Sequence, residues 1–179
     1  QEGKTELGVR LHEDLASRPS TSAGLFLAKD KKSGKKATRE KFMRIFDDDK
    51  FVINTEQVYL KDCETSVIYM DSVDKDPDRI RGGTYNLIHW SEMAFSKIEM
   101  GHTIASVFDK VCQPTLRMRD GYFFGETTLN GKNDFYDFYN AAHEYGLHTL
   151  RVSLGMMVDM GLMSRADYEA IESTTHPDV

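Results

Sequence analysis

The run Tyr85-Asn86-Leu87-Ile88-His89-Trp90, followed at once by Ser91-Glu92, decides how the rest of the chain is read. Four or five mostly apolar residues of this kind form a buried strand. The acidic residue just beyond it sets a carboxylate at the strand's carboxyl end, where open α/β sheets bind their ligands. Working outward, apolar runs at residues 23–28, 58–60, 66–70 and 121–125 also read as strands. Leu7, Leu11 and Leu15 give residues 4–17 a helical period that stops at Arg18-Pro19-Ser20, and residues 35–46 repeat the pattern through Ala37, Phe42, Ile45 and Phe46. A helix over 103–111 is expected to close before Pro114, and Asn133 is expected to cap another that runs to about residue 144. Strands alternating with helices of this length predict an α/β fold: a mostly parallel sheet with helices on both faces.

The chain's bulk properties agree with a globular domain. It has 179 residues, 40% hydrophobic and 29% charged, with 29 acidic against 23 basic side chains and a net charge of −6. No apolar run approaches the ~18 residues of a membrane helix, and no signal peptide opens the chain. Its two cysteines, Cys63 and Cys112, offer neither a disulfide framework nor zinc spacing, so a reducing, cytoplasmic setting is expected.

Three short segments can carry chemistry. Gly3-Lys4-Thr5, leading into a helix, matches the end of G-x-x-x-x-G-K-[ST]. In that motif backbone N–H groups hold phosphate oxygens, the lysine reaches the β- and γ-phosphates, and the hydroxyl ligates Mg²⁺. The strand ending in Ser91-Glu92 has the Walker B layout, with Glu92 placed to polarise an attacking water. Ser91 stands where an aspartate is usual; it can hydrogen-bond a metal-bound water but supplies no charge. Thr127 and Thr128 follow the last strand, where hydroxyls either contact a γ-phosphate or simply end the strand before the Asn130-Gly131 turn.

Taken in order, residues 81–95 (RGGTYNLIHWSEMAF) and 113–142 (QPTLRMRDGYFFGETTLNGKNDFYDFYNAA) resemble the ATPase motor of phage terminase large subunits. That family shows an Arg-Gly ahead of a Walker B strand, then "PTL", a strand, a "TTP-x-G" coupling segment and "N-x-FYD". With Gly3-Lys4-Thr5 in front, the resemblance spans about residues 3–145. It implies an ASCE-type P-loop NTPase that hydrolyses ATP with Mg²⁺ to move double-stranded DNA into a viral capsid. Gly3 and Lys4 would bind phosphate, Thr5 would ligate the metal, and Glu92 would be the catalytic carboxylate. Arg81 aligns with an arginine that in some family members acts on a neighbouring subunit's ATP, and Thr127 and Thr128 with the coupling motif. Leu129 replaces the family's usual proline. Other terminase subunits and the portal are the implied partners, in the cytoplasm of a host cell.

The resemblance also sets expectations about the chain's limits. Residues 1–145 would be a partial ATPase core, lacking its first strand, and 146–179 its end or the start of a linker to a nuclease domain. Loss of a strand from the middle of the sheet would expose two edges, so a dimer, a borrowed strand or a rearranged sheet around residues 1–30 is expected. The alternatives are a nucleotide-binding or scaffold domain with impaired catalysis, which Ser91 favours, and a helicase-like ATPase.

The remaining features carry less. Between Lys29 and Arg44 lie eight basic and two acidic residues, which read as a solvated helix face or, in a DNA motor, as a surface tracking phosphates. His143 and His148 are five apart, one too many for a zinc pair on one helix face. Asp71, Asp74, Asp76 and Asp78 read as a solvated acidic turn without the glycine and glutamate of a calcium loop. Met156, Met157, Met160 and Met163 read as core packing.

Overall fold

The structure is a computed structural model that describes residues 2–18, 21–74, 76–99, 101–128 and 130–174. The chain divides into two compact units, Gln1–Phe138 and Tyr139–Val179.

The first unit is built on a six-stranded sheet in the order β2-β3-β4-β1-β5-β6. Helix α1 (Glu2–Ala16) leads into β1 (Ala23–Ala28), and α2 (Lys31–Ile45) into the short β2 (Phe51–Ile53) and β3 (Gln57–Leu60). Strand β4 (Cys63–Ser72) follows, then a 3₁₀ turn (Pro77–Gly82), β5 (Leu87–Ser91), α3 (Ile104–Val107), α4 (Gln113–Arg117), β6 (Tyr122–Glu126) and α5 (Asp134–Asn140). Strands β4, β1, β5 and β6 run parallel, while β2 and β3 are antiparallel additions at one edge. The α/β class and the mostly parallel sheet are therefore as the alternating pattern predicts. The sheet is continuous, with β1 at its centre, so the region around residues 1–30 shows no rearrangement among the described residues. Strand β6 pairs on one side only among those residues.

Side chains alternate across the sheet, and this sorts the two faces. Phe26, Ala28, Ile68 and Met70 pack with Val9 and Ala16 of α1, Phe42 of α2 and Phe46 just after it in one core cluster. On the opposite face, Phe123 meets Phe108 edge-on at 4.8 Å. The helix after β1 thus covers one face and the segment after β5 the other. The carboxyl ends of β1 and β5 consequently form a topological switch point, the place where such sheets bind ligands.

Helix α1 is seated by a reciprocal exchange. A Cβ at Gly24 of β1 would lie 2.6 Å from Nδ1 of His12, and one at Gly8 of α1 only 2.1 Å from Cε1 of His89 on β5. Each imidazole fills the space that the facing glycine leaves open. Both histidines are fully buried.

Several local expectations need correction. The helix after Thr103 does not close before Pro114: a π-helical turn over Phe108–Cys112 joins α3 to α4, and Pro114 sits at the start of α4. In that wider turn the Gln113 N–H reaches back to the Phe108 carbonyl, giving room to a residue with no N–H of its own. The helix capped by Asn133 ends at Asn140, and a 3₁₀ turn over Ala142–Tyr145 follows, closed by Gly146 at φ 71°. The acidic turn is largely engaged: Asp71 pairs with Arg79 at 2.6 Å, Asp74 accepts from Ser72, and Asp76 caps the 3₁₀ turn. Pro19, Ser20 and Leu129 lie outside the described residues.

In the second unit, Ser153 caps α6 (Leu154–Asp159) and Ser164 caps α7 (Arg165–Thr174). The methionines there do not form a core: α6 has no buried residue, and Met156 and Met160 are exposed. Two helices this short have too little apolar surface to enclose four flexible side chains. No helix among the described residues is long and apolar enough to cross a membrane.

Candidate functional site

The first turn of α1 abuts the carboxyl ends of β5 and β6. The Lys4 ammonium donates to the Thr127 carbonyl at 2.6 Å and to Thr128 Oγ1 at 3.1 Å. The buried Thr5 hydroxyl donates to Glu126 Oε1 at 2.7 Å, and Ser91 Oγ donates to the same oxygen at 2.5 Å. Ser91 and Glu126 are cross-strand partners in the β5–β6 register, so their side chains emerge side by side on the α1 face. Gly3 lies in the same helical turn, exposed.

Beyond β5, Glu92 takes a left-handed backbone conformation with φ 55° and ψ 46° and opens a 3₁₀ turn, Met93–Phe95. Among the described residues its half-buried side chain makes no hydrogen bond or ion pair. Non-glycine residues held in this region cost of order 1–3 kcal/mol and concentrate at functional sites. The turn is tied to the threonine segment: the Ala94 N–H donates to Thr127 Oγ1 at 3.1 Å, and Asn133 donates to the Ala94 carbonyl. Lys4, Thr127 and the turn beginning at Glu92 therefore form one connected structure.

Arg81 is not part of it. It pairs with Asp78 at 3.2 Å and lines a groove with Thr84, Lys110, Pro114 and Met118 beside the amino end of β5, the opposite end from Ser91. On α2, Thr38 and Phe42 face inward, as does Phe46 just beyond it, leaving Lys36 and Arg44 exposed, Arg44 pairing with Glu6 of α1 at 3.7 Å.

The electrostatics separate the buried groups. Burial works against the charge of Glu126, but His89 and the hydroxyls of Ser91 and Thr5 outweigh it and hold the carboxyl at about 2. The His89–Glu126 approach is 3.6 Å, too long for a good hydrogen bond but short enough for the carboxylate's field to act. Burial nevertheless keeps His89 below its ordinary range, against the pull of Glu126 and with a smaller push from Lys41. His12 is driven well below its ordinary range by burial and then by His89, and neither of its nitrogens has a partner among the described residues. Burial pushes the Cys112 thiol up to about 12, which makes it inert.

A pH dependence follows from the two histidines. The unfolded chain takes up protons at His12 and His89 near 6.5, which the native interior refuses, so stability is full above that pH and falls below it. Urea unfolding between pH 7 and 5 is expected to show this decline. His12→Leu is expected to flatten it by up to one proton, about 1.4 kcal/mol per pH unit. An unchanged slope in His12→Leu would show that His12 charges freely in the native state.

The structure brings Lys4, Thr5, Ser91, Thr127 and Thr128 close together, while the sequence alone assigned no role to Glu126, His89, His12 or Gly8. The sequence shows Glu126 only as an acidic residue directly after the apolar run 121–125; its place beside Ser91 comes from the sheet register. The hydroxyls of Thr5 and Ser91 and the Glu126 carboxylate are hard oxygen donors, the type Mg²⁺ takes when it keeps waters and shares a nucleotide's phosphates. Comparison with protein-family models and with curated proteins returns no match for this chain.

Proposed function

We propose that the first unit is a P-loop ATPase of the kind found in DNA-packaging terminase large subunits, hydrolysing ATP with Mg²⁺ to move double-stranded DNA. One observation carries this reading: Lys4 and Thr5, in the first turn of a 15-residue helix, converge with Ser91 and the Thr127–Thr128 segment at the carboxyl edge of adjacent parallel strands. The start of such a helix favours anions, because its free N–H groups and dipole point outward.

The roles follow from the chemistry of each group. Lys4 neutralises phosphate charge, with Gly3 allowing close backbone approach. Thr5, with Ser91 acting through water, would hold Mg²⁺, which supplies charge neutralisation on the phosphates. Glu92 accepts the proton of the attacking water from a position just beyond the strand. Lys4 is shared: the carbonyl and hydroxyl it touches at Thr127 and Thr128 compete with phosphate for the same ammonium. Occupancy of the phosphate site is thereby reported to the 127–128 segment and, through Ala94, to the turn at Glu92.

Arg81, remote from this cluster and paired with Asp78, would serve a neighbouring subunit's nucleotide in a ring, with the portal as the family's docking partner. The outer face of α2 provides non-specific contact with DNA phosphates. Phosphate release from ATP by the full-length protein tests the reading. Turnover that requires Mg²⁺ and rises with duplex DNA is expected, and absence of Mg²⁺-dependent release would overturn it.

A further inference from the structure

We infer that Glu126 is the carboxylate of the divalent-cation site, supplying from β6 the charge that Ser91 does not supply from β5. The inference rests on the ATPase reading and deepens it.

Three observations carry it. Glu126 is 5% exposed, and its Oε2 is buried with no hydrogen-bond partner among the described residues. A buried carboxylate oxygen left bare costs several kcal/mol unless something charged or protic meets it. Its other oxygen, Oε1, accepts from both hydroxyls that the nucleotide site offers a metal, Thr5 at 2.7 Å and Ser91 at 2.5 Å. The register pairs Ser91 directly with Glu126, so a carboxylate on β6 lies one strand away from position 91, on the same face.

The chemistry matches a cation better than a purely structural anchor. A structural carboxylate would spread its lone pairs over available donors, yet here both hydroxyls crowd one oxygen while the other has none. The His89 imidazole approaches the same crowded oxygen, at 3.6 Å. The bare Oε2 together with the Thr5 hydroxyl gives a cation one charged and one neutral oxygen donor, with Ser91 reaching it through water. Magnesium is commonly held by this kind of sparse set, with waters and substrate phosphates completing it. Its binding at this site should therefore depend on nucleotide.

The experiment compares ATP affinity of the full-length protein in EDTA and in Mg²⁺, by calorimetry without turnover, using a non-hydrolysable ATP analogue. The wild type is expected to bind the analogue in EDTA and to gain at least about tenfold in affinity with Mg²⁺. E126Q, whose folding is checked by thermal melting, is expected to keep the EDTA affinity within about threefold and lose most of the Mg²⁺ gain. Retention of the gain in E126Q overturns the inference and leaves the ATPase reading standing. No binding by the wild type in either condition overturns both. A second variant, S91D/E126Q, moves the carboxylate to β5 and is expected to restore the gain, including where E126Q alone fails to fold. A folded swap with no Mg²⁺ gain overturns the inference, since Glu126 would then serve only to hold Thr5.

Discussion

Replacing Gly8 with alanine is expected to destabilise the protein by about 2–3 kcal/mol, although alanine is the better helix former by about 1 kcal/mol. A Cβ at position 8 would lie 2.1, 2.3 and 2.6 Å from Cε1, Nδ1 and Nε2 of His89. The imidazole has nowhere to retreat, because Phe26 stands edge-on at 4.6 Å, Phe124 at 5.1 Å and His12 at 6.0 Å. Relief requires α1 to lift from β5, which pulls Lys4 and Thr5 away from Thr127 and Glu126. Nucleotide binding should weaken along with stability. Gly3→Ala is the matched control, since its Cβ would meet nothing within 4 Å. Urea unfolding checks the pair: Gly8→Ala as stable as Gly3→Ala would mean that the Gly8–His89 contact does not seat the helix.

Glu92→Gln is expected to lower kcat for ATP by about 10²–10⁴-fold, the range for loss of a positioned general base. That corresponds to about 3–5 kcal/mol of transition-state stabilisation. The amide keeps the size of the side chain and its left-handed backbone, so the turn over Met93–Phe95 and its tie to Thr127 should persist. ATP affinity should consequently stay within about threefold, because the change removes basicity rather than a phosphate contact. Single-turnover kinetics with saturating ATP separates the two effects. An unchanged rate in Glu92→Gln would assign water activation to another group.

The parts of this protein that sequence conveyed are those governed by local pattern. Period-2 and period-3.6 runs placed β1, β5, β6 and α1 within a residue or two, because one buried face dominates each of them. Strand β2 went unread: Phe51-Val52-Ile53 is too short to show a period and becomes a strand only through pairing with β3. Pro114 misled because helix-breaking rules assume regular i→i−4 bonding, and the π-helical turn suspends that rule for one turn. The methionines misled because an apolar spacing does not reveal whether anything lies opposite.

Within the site, Lys4, Thr5, Ser91, Glu92, Thr127 and Thr128 were legible as motifs, each tied to the end of a strand or the start of a helix. Glu126 was not, since its significance comes from register with Ser91 and from the Thr5 hydroxyl 121 positions away in sequence. The His12–Gly24 and Gly8–His89 exchanges were invisible for the same reason. A glycine in a helix and a histidine in a strand each look like local irregularities until the two are brought face to face.

Titration of the full-length protein with ATP, wild type beside Lys4→Ala, tests most directly whether the start of α1 holds a nucleotide's phosphates. Saturable binding is expected in the wild type, weakened about 10–100-fold by loss of the ammonium, as for a charge-assisted hydrogen bond of about 1.5–3 kcal/mol. Wild-type protein that fails to bind ATP, or Lys4→Ala protein that binds it equally well, would contradict the account.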